Sequence, residues 1–438
     1  MVNALKEKIA AKTAIIGFIG MGYIGLSLLD AFGSAGYPLI GYDIDQKKIE
    51  LLKKKKPYLN FLDHKNLFAL MDQKRFKISN DSVVLQEADI IIISVATPLD
   101  RYRTPNLTNL RNAFLTISKH LQKNQLIILQ SSTFPGTTNE ELLPLLEKSG
   151  FKIGKDFFLA HVPEVTDIGN PEFSVAAVPK IISGITTACR TLATSLYKQL
   201  GCKTVACSST SIAEAAKLLQ NSFRLINISF INEMKILFDH MGLDVWEVIE
   251  AASSKPFGFM PFYPGPGVGG SCIPIVPFYL VWKAKATGGQ AVMLEQAGHI
   301  NDLMPTYVFN KMIQGLNLQS KTLNGAKVLV LGVTYKKDVN DLRESPALKL
   351  LPLLKNMNAE VFYHDPYVKE LSQIEECPGL ALKSIELNYE MLALYDAVII
   401  LTDHTCYDWD KIVLHSHLVV DTRNVTANVK AKSKIVKA

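Results

Sequence analysis

The sequence has no CxxC pair. Its six cysteines, Cys189, Cys202, Cys207, Cys272, Cys377 and Cys406, are scattered, and no histidines accompany them at ligand spacing. That pattern argues against a bound metal and against a disulfide framework, and it fits a reduced, cytoplasmic setting. Also missing is any run of about 18 uncharged apolar residues. The opening MVNALKEKIAAK lacks the apolar stretch of a secretion signal, so no membrane insertion is expected. An excess of one charge sign is scarce too: 47 Lys and Arg against 41 Asp and Glu leave a net +6 over 438 residues. The KKKK run at 53–56 has no arginine-aromatic interleaving after it and reads as a solvated helix end. Nucleic acid is therefore not an expected partner, whereas small anionic molecules are. At 48% hydrophobic and 20% charged residues, the chain is long enough and apolar enough for two or three folded domains.

The first 160 or so residues alternate strand-like runs (AIIGFIG, PLIGYD, ADIIIISVA, QLIILQ) with amphipathic helical segments, the pattern of βα units feeding a parallel sheet. A second such series, AKVLVLGV, AEVFYHD, DAVIILT and HLVVDTR, lies toward the carboxyl end. Between them, residues 211–240 keep helical periodicity for roughly eight turns without Gly or Pro, and GLDVWEVIEAAS continues as another helix. The fold class expected is α/β: two Rossmann-like doubly wound domains joined by a long central helix and a helical middle domain. The boundaries expected are 1–205, 206–315 and 316–438. The apolar length of 211–240 suits a spine and a dimer surface.

GMGYIG, residues 20–25, stands between the strand AIIGFI and the helical LSLLDAF. Gly20, Gly22 and Gly25 would allow a tight turn and bring backbone N–H groups, including those of Tyr23 and Ile24, to a pyrophosphate at a helix amino end. Asp43 closes the second strand about 20 residues on, where its carboxylate would accept from a ribose 2′-hydroxyl and repel a 2′-phosphate. NAD is the cofactor expected, with Lys48 nearby. SVATP (94–98), with Thr97, and SSTFPGTT (131–138), with Ser132, follow strands at the carboxyl edge where ligands bind. On the long helix, Lys217 and Asn221 stand at i and i+4 and project from one face. An ammonium beside an amide can stabilise an oxyanion. Glycine and proline punctuation then forces an irregular loop, PFYPGPGVGGSCIP, that ends at Cys272.

These segments, together with HVPEVTDIGNPEF, AEAAKLLQNSFRLINISFINE, YKKDVNDLRESPAL and DTRN, follow the order found in the UDP-glucose/GDP-mannose dehydrogenase family, and the chain most resembles the branch acting on UDP-N-acetylhexosamines. The resemblance implies a cytoplasmic, dimeric, NAD-dependent enzyme making surface-polysaccharide precursors. It would oxidise a sugar C6 alcohol twice, with Cys272 adding to the aldehyde and carrying the thioester. Lys217 and Asn221 would polarise the C6 oxygen, Glu164 would order or activate the hydrolytic water, and Ser132 would supply a hydroxyl where threonine is usual. Phe262, Tyr263, Gly265, Gly267 and Gly269 would wrap sugar and diphosphate. Tyr335, Lys336 and Arg423 would contact substrate, and Arg343 would reach the cofactor.

The resemblance also marks departures. Four residues after the cysteine, where the family carries aspartate, stands Val276, which cannot accept a proton. Gln130 and Gln220 stand where glutamates are common, and Val165 where arginine is common. Three outcomes stay open: complete oxidation with Glu164, or a water linked to Lys217, covering for the aspartate, an altered or partial oxidation, and a non-catalytic relative that keeps both ligands.

Overall fold

The computed structural model of the chain describes residues 2–59, 62–165, 175, 177–372, 374, 377–430 and 434–438. Its contacts divide it into two units: residues 1–220 with 278–289, and residues 221–277 with 290–438.

The first unit is built on an eight-stranded sheet: β1 (Ile16–Ile19), β2 (Leu39–Tyr42), β3 (Phe76–Ser79), β4 (Ile90–Ile93), β5 (Leu126–Leu129), β6 (Phe158–His161), β7 (Lys180–Gly184) and β8 (Thr204–Ala206). Strands β1, β2, β4 and β5 are buried at all four positions. Near-continuous apolar runs of that kind are what a parallel sheet covered on both faces requires. The spatial order is β3-β2-β1-β4-β5-β6-β7-β8, parallel throughout except that β6 meets β7 antiparallel. Chain order reverses between β1 and β4, so the loops leaving these two strands flank the crevice where such sheets bind ligands.

The second unit carries a parallel sheet in the order β10-β9-β13-β14-β15. Its strands are β9 (Lys327–Leu331), β10 (Glu360–His364), β13 (Ala397–Ile400), β14 (Val419–Asp421) and β15 (Ile435–Lys437), beside a two-stranded ribbon of β11 (Glu370–Leu371) and β12 (Leu382–Lys383). Its switch point lies between β9 and β13. The two Rossmann-like sheets and the helical middle are as the sequence predicts.

The uninterrupted periodicity at 211–240 becomes one helix, Thr210–His240, and the division between the two units falls inside it. A second long helix, Val292–Leu318, was not read from the sequence, because Pro305 lies inside it. Proline removes an amide donor and marks a break in most helices. No helix among the described residues is long and apolar enough to cross a membrane. All six cysteines are free.

Candidate functional site

In the first unit, the three glycines after β1 do three different jobs. Gly20 has φ of 93°, and a Cβ there would lie 2.4 Å from the Ser94 carbonyl oxygen. A Cβ on Gly25 would lie 1.9 Å from the Gly20 carbonyl oxygen, so helix and turn touch there. Gly22 meets nothing within 4 Å, and it begins the helix Tyr23–Ser34 with no side-chain cap. The amide groups of Tyr23 and Ile24 thus stand at the positive end of a helix, the setting a pyrophosphate requires. Asp43, buried at the end of β2, accepts from the N–H of Met21 at 2.7 Å and of Asp45 at 2.9 Å. Lys48 stands 3.4 Å from the same carboxylate. The carboxylate is thus oriented before any ribose arrives, and these residues fit a dinucleotide.

The loops after β4 and β5 are tied together. Ser131 Oγ accepts from the Val95 N–H (3.0 Å) and donates to the Val95 carbonyl (2.7 Å), while Thr97 Oγ1 donates to the Ser132 carbonyl (3.0 Å). The Tyr279 hydroxyl donates to the Thr97 carbonyl at 2.5 Å.

Sequence reasoning missed how the second of these loops is fixed. Glu214, one turn before Lys217 on the long helix, accepts from the N–H groups of Gly136 (2.7 Å) and Thr138 (2.8 Å) and from the Thr138 hydroxyl (2.6 Å). Burial, outweighing those hydrogen bonds, pushes its carboxyl above the usual range. Lys217 itself is buried rather than a surface lysine.

Glu164 is enclosed. Its Oε1 accepts from Lys180 Nζ (2.7 Å) and the Val165 N–H (3.0 Å), and its Oε2 from Gln130 Nε2 (2.7 Å). Lys180 is 0% exposed. Gln130 Oε1 in turn accepts from Tyr197, whose hydroxyl burial raises well above its ordinary value. Gln220 is on the exposed side of its helix. Of HVPEVTDIGNPEF, only residues 161–165 are described; the rest lies outside the described residues.

In the second unit, the backbone of the cysteine loop is pinned at three points. The Gly265 N–H donates to Asn232 Oδ1 (2.9 Å), the Val268 N–H to Asn301 Oδ1 (2.7 Å), and the Gly270 N–H to the Arg343 carbonyl (2.8 Å). Gly267 and Gly270 have φ of 111° and 82°, in the region that favours glycine. A Cβ on Gly269 would lie 2.6 Å from both Tyr335 Cβ and the Glu344 carbonyl oxygen, and one on Gly265 would lie 3.0 Å from Arg423 Nη1. Glycine is needed here for close approach. Tyr335, Arg343, Arg423 and the loop are thus brought together. Arg343 spans Asp341 with Nε and Nη2 at 2.9 and 2.6 Å, and Lys336 follows Tyr335 on the loop after β9.

Cys272, half-buried, ends that loop, and its carbonyl accepts from the Val276 N–H at 2.9 Å. Val276 starts the helix Val276–Ala286 and is 2% exposed. Asn221 is 4% exposed, and its Nδ2 has no hydrogen-bond partner among the described residues. Phe262 packs edge-on against Phe223 (6.0 Å), and Tyr263 stacks on Trp246 (5.5 Å). A cavity of about 420 Å³ beside Tyr263 is lined by Asp244, Glu247, Glu250 and Lys437, with Lys437 paired to Asp244 at 2.6 Å. Among the described residues no group of three His, Cys, Asp or Glu side chains is placed to hold a metal.

Three stretches match the UDP-glucose/GDP-mannose dehydrogenase family: residues 14–201 its NAD binding domain, 211–303 its central domain and 329–428 its UDP binding domain. The chain is 34% identical over 363 residues to UDP-N-acetyl-D-glucosamine 6-dehydrogenase of Pseudomonas aeruginosa, covering 82% of this chain and 85% of that one. It is 31% identical to UDP-N-acetyl-D-mannosamine dehydrogenase of Pyrococcus horikoshii over 94% of this chain and 95% of the relative. The solved structure of UDP-D-ManNAc dehydrogenase from Pyrococcus horikoshii superposes with a TM-score of 0.83 at 30% identity, covering 94% of this chain and 95% of that one.

Proposed function

Since the chain belongs to the UDP-glucose/GDP-mannose dehydrogenase family and is an NAD-dependent nucleotide-sugar dehydrogenase, we propose that it oxidises the C6 alcohol of a UDP-N-acetylhexosamine to the carboxylate through a sulfur-bound intermediate on Cys272. The N-acetylhexosamine rests on the substrates named for its relatives. Gly20, Gly22, Gly25 and Asp43 would hold NAD, which when bound would supply the hydride acceptor for each oxidation.

The chain's own residues divide the remaining work. Lys217 and Asn221 donate to the C6 oxygen as negative charge develops on it. The Cys272 sulfur adds to the C6 aldehyde, giving a thiohemiacetal. After the second oxidation the resulting thioester is cleaved by water, which returns the thiol and releases the uronate. Glu164 orders that water. Ser132 presents its hydroxyl at the carboxyl edge of the first sheet. Tyr335, Lys336 and Arg423 hold the UDP-sugar, and Arg343 supports the loop that carries Cys272.

The observation that carries this reading is Asn221. A buried amide donor without a partner among the described residues costs about 1–3 kcal/mol, and the C6 oxygen of a bound sugar would satisfy this one. Val276 favours a second reading, in which oxidation stops short of free uronate, because the place of a carboxylate is filled by a buried valine.

The exposed apolar stripe Leu219, Phe223, Phe230 and Leu237 along the long helix supports a homodimer formed on that face. Six free thiols support a reduced, cytoplasmic setting, and the uronate would feed surface-polysaccharide synthesis. The test is NADH formation at 340 nm with product mass analysis on a panel of UDP-hexoses and UDP-N-acetylhexosamines, with sedimentation of the same preparation. Two NADH and one uronate per UDP-N-acetylhexosamine are expected; one NADH per sugar would select the second reading, and none would overturn both.

A further inference from the structure

The loop after β9 passes through the left-handed region at an aspartate. Asp338 has φ of 62°. Aspartate enters the left-handed region more readily than most residues with a Cβ, and here its surroundings hold it there. Two segments do so here. The Asp338 carboxylate accepts from the N–H (3.0 Å) and hydroxyl (3.1 Å) of Thr405 and from the Tyr367 hydroxyl (3.3 Å). The Asp338 N–H donates to His404 Nδ1 at 3.0 Å.

That last contact fixes the state of the ring. A backbone N–H can only donate, so Nδ1 carries the lone pair and the proton sits on Nε2. Nε2 then donates to Asp365 Oδ2 at 3.1 Å. Asp365 also accepts from the N–H groups of Val333 (2.8 Å) and Tyr367 (2.9 Å), and both it and His404 are 0% exposed. The network therefore runs from the end of β10, through an imidazole on the loop after β13, to the turn two residues past Lys336. The loop so held carries Tyr335, which abuts Gly269 and Gly270, and Arg343, whose carbonyl takes the Gly270 N–H.

We propose that His404 is a positioning residue: held as the Nε2–H tautomer by Asp365, it keeps Asp338 left-handed, and thereby sets Tyr335 and Lys336 for the UDP-sugar and the glycine loop that presents Cys272. The substrate half of this inference rests on the functional reading above; the half concerning Cys272 does not. His404 acts through the loop and touches no reacting atom.

The full-length protein with His404→Phe, His404→Gln and His404→Phe/Asp338→Gly decides it. Phenylalanine offers neither an acceptor to Asp338 nor a donor to Asp365. Glutamine offers both, and glycine at 338 adopts positive φ without strain. Two readouts are taken: KM for UDP-sugar against KM for NAD, and the rate of iodoacetamide labelling of the Cys272 peptide followed by mass spectrometry.

For His404→Phe the expectation is a rise of at least tenfold in KM for UDP-sugar with KM for NAD within twofold, and a change of at least fivefold in Cys272 labelling. His404→Gln should stay within threefold of wild type, and Asp338→Gly should recover at least half of the lost effect on a logarithmic scale. Equal changes in both KM values, unchanged labelling in a folded His404→Phe, or a glutamine variant as impaired as phenylalanine would overturn the proposal. Should His404→Phe not fold, His404→Ala, which likewise offers neither an acceptor to Asp338 nor a donor to Asp365, takes its place under the same criteria. If the wild type takes no UDP-sugar, the functional reading fails, and the labelling rates still decide the tether.

Discussion

Val276→Asp is the substitution that asks most of the reading above. Val276 is 2% exposed, at the first position of its helix and one turn from Cys272, to which its N–H is bonded. Burying a valine side chain stabilises by about 1.5–3 kcal/mol. An aspartate forfeits that and loses hydration, while the amino end of the helix returns about 0.3–1 kcal/mol to a carboxylate. The net expectation is a loss of about 2–4 kcal/mol, which lowers the melting temperature by roughly 5–15 °C. Activity should move the other way. A positioned proton acceptor contributes about 10² to 10⁴ in rate, so uronate release should rise by at least about tenfold even if only part of that is recovered.

The assay is NADH and uronate production at saturating NAD and UDP-sugar, beside thermal melts of wild type, Val276→Asp and Val276→Ala. Alanine leaves a cavity without supplying an acid, so it should melt earlier and leave the rate unchanged. A folded Val276→Asp that releases uronate no faster than wild type refutes the reasoning: the chain would then have its proton acceptor elsewhere, and the valine would be a neutral replacement. An aspartate variant that gains rate without losing stability would refute the packing half alone.

Two further outcomes follow from buried charge. Lys180→Met leaves the Glu164 carboxylate buried without its ion-pair partner and should cost about 3–5 kcal/mol in denaturant unfolding of the first unit; adding Glu164→Gln should recover most of it, and simple additivity of the two would disprove the coupling. Burial lowers the His161 imidazole to about 3, against 6.5 for the ordinary group. The unfolded chain thus binds the extra proton between those values, and stability falls as pH drops through that window by up to about 1.4 kcal/mol per pH unit. His161→Leu should flatten the slope, and an unchanged slope would assign it to other groups.

What was legible in the sequence is what a residue's immediate neighbours determine. IIII at 90–93 is apolar at every position, as a strand covered on both faces must be, and it reads as one. Strand β3, FKIS, has a single buried residue and no such signal. The antiparallel turn of β7 against β6 depends on which strand lies beside which, a matter that periodicity does not record. GMGYIG was readable because its three glycines act within one turn. Asn232 was within reach: it stands eleven residues, close to three helical turns, after Asn221 and shares its face. Asn301 and His404 come from distant segments and look like ordinary polar residues until the fold supplies their partners.

The same distinction separates two positions that the resemblance marks alike as departures from the family pattern. Gln130 and Val276 both put a neutral side chain where the resemblance implies a carboxylate. At Gln130 the neighbours use the polarity that remains: Nε2 donates to Glu164 and Oε1 accepts from Tyr197. A glutamate there would set a second carboxylate against Glu164, with Lys180 as the buried cation beside them, and like charges that close disfavour joint ionisation. The amide is therefore matched to its surroundings. Val276 has no polar side-chain atom for neighbours to use, and its side chain is sealed from solvent. Polar partners surround Gln130, while only packing surrounds Val276, so it is at position 276, and not at 130, that introducing a carboxylate should change the chemistry.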